Sequence, residues 1–169
     1  MTILKNGVLV TSGGFARLDL AFENGIITRL EPDIAPGADD TAVQAGGCLI
    51  FPGFIDGHTH LDMESGGLVT ADDFASGTRA AVCGGTTTIL DFATQSKGGT
   101  LAGALEAWRR KAEGQCYTDY GFHMAVTEWG EGTRAELPAM IQEGVTSFKA
   151  YMAYDALRLG DAALFQLLR

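Results

Sequence analysis

Positive charge is scarce in this chain. Its 12 Lys and Arg stand against 21 Asp and Glu, for a formal net charge of −9, and the pI is near 4.6. That balance argues against nucleic acid and anionic membranes as partners. Long apolar runs are missing as well. No stretch reaches the ~20 residues of a membrane-spanning helix, and none has the charged start and small-residue cleavage site of a secretory leader. Cysteine is limited to Cys48, Cys83 and Cys116, odd in number, far apart and without a Cys-x-x-Cys spacing. They read as reduced, mostly buried thiols, and a reducing cytoplasm is the expected compartment. Histidine is rarer still than basic charge, with 3 in all, and two of them share one tripeptide.

What is present is globular. The 169 residues are 46% hydrophobic, well above the range of disordered chains and enough for a sizeable core. Two patterns meet near residue 48. Before it come short strand-like pieces: Ile3–Val10, then Leu18, Leu20 and Phe22 in alternation, then Asn24-Gly25 as a tight turn into Ile26-Ile27. Asp33 to Asp40, with Pro36 and Gly37, reads as a loop. Residues 1–47 are thus expected to form a small β-domain segment.

Residues 48–169 repeat strand, loop, helix. Leu49–Ile55 reads as the first strand. Asp72-Asp73 offers a cap for a helix running to Cys83 and stopped by Gly84-Gly85. Thr86–Phe92 is a β-branched, apolar strand. Thr100 opens a helix with Leu101, Leu105, Trp108 and Ala112 on one face, ending at Gly114. Gly121–Val126 is a third strand. Thr133-x-x-Glu136 has the form of a capping box for a helix closed by Gly144. Val145–Met152 is a fourth strand, and Asp161 is placed to cap a last helix. Strands alternating with helices at this spacing imply α/β architecture with a parallel sheet. Four units are visible where a (β/α)8 barrel needs eight. Either the sheet is small and open, or the chain is the front portion of a larger barrel; a sequence that stops in a helix at Arg169 favours the second.

The most informative segment is Phe51-Pro52-Gly53-Phe54-Ile55-Asp56-Gly57-His58-Thr59-His60. Residues two apart on a strand share a face, so His58 and His60 make half of a metal site, or else a pair of surface histidines at a turn. Lys149, in Ser147-Phe148-Lys149-Ala150-Tyr151-Met152-Ala153-Tyr154, lies within an apolar run. A buried ammonium without a partner is costly, so this lysine is neutral, paired or modified, or else snorkels to the strand end. A neutral amine can add carbon dioxide to form a carbamate, an anion able to bridge two metal ions.

These strings, together with DDFASGTRAAVCGGTTTILDF, DYGFHMAVT and GVTSFKAYMAY, resemble the cyclic amidohydrolases, closest to the dihydropyrimidinase and hydantoinase branch. The resemblance covers nearly the whole chain, in order. It implies the front part of an amidohydrolase-type (β/α)8 barrel preceded by a small β-sandwich segment. It implies two divalent metal ions, zinc the expected one, with His58 and His60 on one ion and a carboxylated Lys149 bridging both. Tyr154 would stabilise the oxyanion of a cyclic amide under attack, and Asp56 would hydrogen-bond behind His58. His123 matches a structural Phe-His of the family and is expected in the barrel interior. The family's two later histidines and its general-base aspartate have no counterpart here, so a fragment is expected. Relatives are commonly tetrameric, which makes a homo-oligomer the expected assembly.

Within the family, dihydroorotases carry Arg where this chain has Asp62, and a carboxylate there disfavours a carboxylate substrate. Allantoinases favour Asn at that position, which weakens allantoin. Asp62-Met63-Glu64-Ser65 forms the loop expected to wall the substituent pocket, more polar and flexible than is usual in the branch. The expected substrates are dihydropyrimidines or 5-substituted hydantoins, opened to N-carbamoyl amino acids. Two alternatives stand beside this: a non-catalytic scaffold of the same fold, and another amidohydrolase such as an allantoinase or N-acyl deacetylase.

Overall fold

The computed structural model describes the backbone of all 169 residues and every side chain except that of Ser65. Two compact units divide it, Met1–Pro52 and Gly53–Arg169.

The first unit is all β. Strands β1 (Thr2–Lys5), β2 (Val8–Thr11), β3 (Gly14–Ala16), β4 (Asp19–Glu23), β5 (Ile26–Glu31), β6 (Thr41–Gln44) and β7 (Leu49–Ile50) form two sheets, ordered β5-β4-β1-β6 and β3-β2-β7. The expected single strand Ile3–Val10 is two. Asn6 has φ 64°, a left-handed conformation that breaks an extended run, so β1 and β2 enter different sheets. Leu49–Ile50 likewise belongs here rather than to the following strand, pairing in parallel with Val8–Leu9. The Asn24-Gly25 turn forms as expected, with φ 50° and 78° between β4 and β5, whose Glu23 and Ile26 pair. Two positive φ values in a two-residue hairpin loop are the geometry that Asn-Gly favours. Ile3, Ala21 and Ile34 are fully buried at the core of this unit.

One ionic cluster ties its loops. Asp19, 3% exposed, receives the Asn6 and Ile34 amides at 2.9 Å each and lies 2.7 Å from Lys5 Nζ. Lys5 also meets Asp33 at 2.6 Å.

The second unit interleaves strands and helices: β8 (Phe54–Asp56), a small hairpin of β9 (Glu64–Ser65) and β10 (Leu68–Val69), α1 (Phe74–Cys83), β11 (Thr86–Thr94), α2 (Leu101–Ala112), β12 (Asp119–Val126), α3 (Glu131–Gln142), β13 (Phe148–Ala150) and α4 (Asp161–Leu167). The sheet runs β13-β12-β11-β8, parallel throughout: a half-barrel, with β8 and β13 at its edges. Its core gathers Ala93, Leu101, Leu105, Met124, Val126, Met140 and Val145, and a second cluster holds Phe74, Ile89 and Ala112.

Local chemistry accounts for α1 and α2. Asp73 caps α1 by accepting the Ser76 amide while Ser76 returns a bond to the Asp73 backbone, satisfying two amides that have no intrahelical partner. Thr100 caps α2 by accepting the Gly103 amide. The expected capping box at Thr133 does not form. Helix α3 begins earlier, with Gly130 at its N-cap, and Thr133 and Glu136 both lie inside it. The Thr133 hydroxyl bonds the Glu128 carbonyl, and Glu136 accepts the Leu101 amide at the start of α2. Nor does Asp161 cap α4: Gly160 holds that position, with Asp161 in the first turn. The strand expected at Val145–Met152 shortens to three residues, with Tyr151 in an isolated bridge to Arg158. Among the described residues, no helix is long and apolar enough to cross a membrane.

The ammonium of Lys5 and the amides of Ile34 and Asn6 hold the Asp19 carboxyl down to about 2, from an ordinary 3.8. A carboxyl whose pKa is lower in the folded state contributes stability above its unfolded value and loses it as pH falls through the folded one. Asp19→Asn is therefore expected to flatten the acid limb of unfolding between about pH 4 and about pH 2, read by amide resonances of residues 1–52.

Candidate functional site

The site is built on the alternation of one strand. Consecutive residues of β11 point to opposite faces. Phe92 turns to one face and is 5% exposed; Asp91 turns to the other, towards α2, and is 0% exposed. The two residues organise the segment that follows β8.

Strand β8 ends at Asp56, paired with Ile89, so His58 and His60 lie just past the strand rather than within it. They converge all the same. Gly57, Thr59 and Leu61 are each tied to the sheet. The Gly57 carbonyl lies 3.0 Å from His123 Nε2. The Thr59 amide donates to the Leu90 carbonyl at 3.0 Å, and its hydroxyl lies 3.0 Å from Asp91 Oδ2. The Leu61 amide donates to the same Oδ2 at 2.8 Å. With the odd positions held, the even ones present their imidazoles, and the two Nε2 atoms stand 3.2 Å apart.

Phe92 is the floor of this group. His58, His60 and His123 ring centroids lie 4.5, 5.0 and 4.7 Å from its centroid, and Lys149 Nζ sits 4.2 Å over its face. Lys149 also lies 4.7 Å from the Tyr151 ring. It is half-buried on β13, and desolvation pushes its ammonium below the usual lysine range, because burial disfavours the charged form. Desolvation also lowers His60, helped by the positive charge of Lys149 and by His58, against an opposing pull from Asp91. Both shifts favour neutral nitrogen, the form that carries a free lone pair.

The remaining candidates are placed differently. Asp56 does bond His58, but at its backbone amide, 3.1 Å away, not at the ring. Tyr154 is 73% exposed, its ring 6.3 Å from that of Tyr151, and it is not drawn into the Phe92 group. Its φ of 66° is unusual for a bulky residue and places it in a strained turn. Asp62, at φ 48°, gives its carbonyl to Lys111 Nζ at 2.6 Å, with its carboxylate 3.8 Å from the same ammonium. Met63 is fastened by its amide to the Thr70 hydroxyl at 2.9 Å. Glu64 is exposed on the β9–β10 hairpin, and the Ser65 side chain lies outside the described residues.

Three residues escaped the sequence reading. Asp91 was visible as a lone carboxylate in an apolar strand, a signal that a buried charge has partners. Phe92 was read only as the end of a strand. His123 was placed in the barrel interior, but its bond to Gly57 was not foreseen. A carbonyl accepts only, so His123 Nε2 carries the proton and Nδ1 accepts from the Ser147 hydroxyl.

The spacing suits a metal ion. Two nitrogens on a tetrahedral zinc, each ~2.05 Å away, stand about 3.3 Å apart, close to the observed 3.2 Å. His60 Nδ1 is buried without a hydrogen-bond partner, which leaves Nε2 as the working atom of that ring. No cluster of three or more His, Cys, Asp or Glu able to hold a metal occurs among the described residues.

A parallel half-barrel whose His-x-His follows the first strand and whose half-buried lysine lies on the fourth defines a class, and comparison with known proteins agrees. Residues 49–127 match the model of the amidohydrolase family, which is generally metal-dependent. The chain belongs to that family, and within it to the hydantoinase and dihydropyrimidinase branch. It is 45% identical over 168 residues to a D-hydantoinase of Geobacillus stearothermophilus, covering 98% of this chain and 36% of the relative. With a Streptomyces coelicolor D-hydantoinase it shares 43% over 164 residues, 95% of this chain and 35% of the relative. The crystal structure of dihydropyrimidinase from Brevibacillus agri superposes with a TM-score of 0.93 at 39% identity, over 99% of this chain and 36% of that one. The chain thus spans about a third of the length of the curated relatives it matches.

Phe92→Ala is expected to destabilise the second unit by about 3–5 kcal/mol, read by denaturant unfolding, since it opens a cavity under four side chains. Water entering that space is expected to return Lys149 towards the usual lysine pKa, read by NMR titration of its side-chain amine.

Proposed function

We propose that a protein carrying this chain is a metal-dependent hydrolase that opens the cyclic amide of dihydropyrimidines or 5-substituted hydantoins to N-carbamoyl amino acids. The observation that carries this reading is the 3.2 Å approach of His58 and His60 Nε2 on the Phe92 face that Lys149 shares. The identity to D-hydantoinases supports the substrate class.

His58 and His60 would hold one divalent ion through Nε2, zinc being the expected one. Bound there, divalent ions supply a Lewis acid for the substrate carbonyl and a source of hydroxide at neutral pH. Lys149, whose charged form is disfavoured by desolvation, would add through its neutral amine to the carbon of carbon dioxide. The nitrogen would release its proton to solvent, leaving a carbamate whose oxygens would serve as metal ligands. Phe92 holds that chain in place and keeps bulk water from it. Asp56 fixes the turn into His58 through the backbone. Tyr154 would donate a hydrogen bond from its phenol to the carbonyl oxygen as negative charge develops there. Asp62, Met63, Glu64 and Ser65 lead into the hairpin that walls the ring substituent. Asp62, engaged with Lys111, offers no cation to a carboxylate substrate. A homo-oligomer working in the cytoplasm completes the reading.

Hydantoin, dihydrouracil and an N-acetylated amino acid are the substrates to compare, on a full-length protein that carries these residues. Ring opening of the cyclic amides, lost on metal chelation and restored by zinc, is the expected result. Hydrolysis of the N-acetyl substrate alone would move the protein to the deacetylases, and no turnover by the zinc-loaded protein would favour a scaffold. Lys149→Ala and Lys149→Arg are both expected to abolish activity, since a guanidinium stays charged and forms no carbamate; activity retained in either removes the carbamate. Tyr154→Phe is expected to lower kcat by about 10²–10³ with little change in KM.

A further inference from the structure

We infer that Asp91 is a positioning residue: it holds the His58-Thr59-His60 loop in the conformation that brings the two imidazoles together, without touching them. The inference deepens the metal-site reading and rests on it for its functional meaning.

Four donors converge on this one carboxylate. Oδ2 takes the Leu61 amide at 2.8 Å and the Thr59 hydroxyl at 3.0 Å. Oδ1 takes the Phe92 amide at 2.7 Å and the Trp108 indole Nε1 at 3.1 Å. Three of these partners can only donate, so the group accepts on both sides; the Thr59 hydroxyl also lies 3.2 Å from the Leu90 carbonyl. With 0% exposure, water cannot replace any of them. A polar group buried this completely is tolerated only when it is hydrogen-bonded.

The position explains the arrangement. The ladder between β8 and β11 stops at the pair Asp56–Ile89, and beyond it the Thr59 amide still reaches the Leu90 carbonyl of β11. Asp91 continues the anchoring by side chain, taking Leu61 where a backbone carbonyl would otherwise serve. Helix α1 also packs against Leu61: a Cβ on Gly77 would lie 2.4 Å from Leu61 Cδ2, so a larger residue there would make the Leu61 side chain shift. Residues 59 and 61 are thereby fixed on either side of His60. Residues 58 and 60 then face Phe92, with ring centroids 4.5 and 5.0 Å from its own. Trp108 locks the carboxylate from α2, so the loop is tied through Asp91 to the helix layer.

Partners that orient metal ligands are commonly worth about 10–100-fold in metal affinity. The test uses the 169-residue chain, 15N-labelled and titrated with zinc chloride, with the imidazole Nε2 resonances of His58 and His60 as one readout. Hydrogen exchange of the Leu61 amide is the other. Asp91→Leu, close in shape and apolar, is expected to speed Leu61 exchange and weaken zinc binding, each by about tenfold or more. Trp108→Phe removes only the α2-side donor and is expected to keep both within about threefold, separating positioning from a general loss of stability. Folded Asp91→Leu protein with Leu61 protection and zinc affinity equal to the parent overturns the inference. So does equal loss in Trp108→Phe and Asp91→Leu. Should Asp91→Leu fail to fold, Thr59→Val decides: it removes one bond to the carboxylate, and unchanged exchange and zinc affinity overturn the inference. If the parent chain shifts neither imidazole with zinc, the metal reading of this site fails. Asp91 is then judged by Leu61 exchange and by the inter-ring NOE between His58 and His60; both lost in Asp91→Leu upholds positioning, and both kept overturns it.

Discussion

A strand cannot turn two adjacent side chains to the same side, and the second unit is arranged around that constraint at Asp91 and Phe92. One residue faces the helices and ends the isolation of a loop; the next faces away and gathers three imidazoles and an ammonium over a single ring. A shift of β11 by one residue would exchange the two, burying an apolar ring where a carboxylate meets four donors and placing a negative charge beneath the lysine. The register of β11 against β8 and β12 therefore decides more than packing. It settles which side of the sheet carries polar anchoring and which carries the lowered pKa values of Lys149 and His60.

The same division of labour runs through the neighbouring strands. β12 contributes Met124 and Val126 to the core and His123 to the opposite face, where its ring both stacks on Phe92 and holds the Gly57 carbonyl. β13, only three residues long, is enough to carry Lys149 over the ring. Helices α1 and α2 act from the other side, through the close approach at Gly77 and the indole of Trp108. The loop after β8 has little regular structure of its own and depends on these attachments from strands and helices distant in sequence.

What could be read from the sequence follows the range of the forces involved. Caps and turns are settled by a few adjacent residues, and Asp73, Thr100 and Asn24-Gly25 were legible for that reason. Sheet membership is settled by distant partners. Leu49–Ile55 looks like one apolar strand, but its first two residues pair with Val8–Leu9 and its last belong to β8. Ile3–Val10 divides in the same way, at a residue whose backbone turns left-handed. The Thr133-x-x-Glu136 pattern misled because both side chains found partners outside their own helix. In the site, the histidines and Lys149 stood out because their chemistry is rare in apolar surroundings. Asp91 had the same quality and was passed over, since nothing local names the donors that converge on it. Phe92 was unreadable as a site residue: a phenylalanine in a strand announces burial, not what rests on its face.

The indole of Trp108 gives the molecule a built-in optical reporter. Its emission responds to the charge and hydration around Nε1, and here that atom meets the carboxylate that fastens the histidine loop. The chain has only two tryptophans, and the other, Trp129, bonds Gln166 elsewhere on the surface. With Trp129 replaced by Phe, ultraviolet excitation watches the loop's tether directly, so that slackening of the tether during folding or ligand exchange is written into the colour and lifetime of one residue's light.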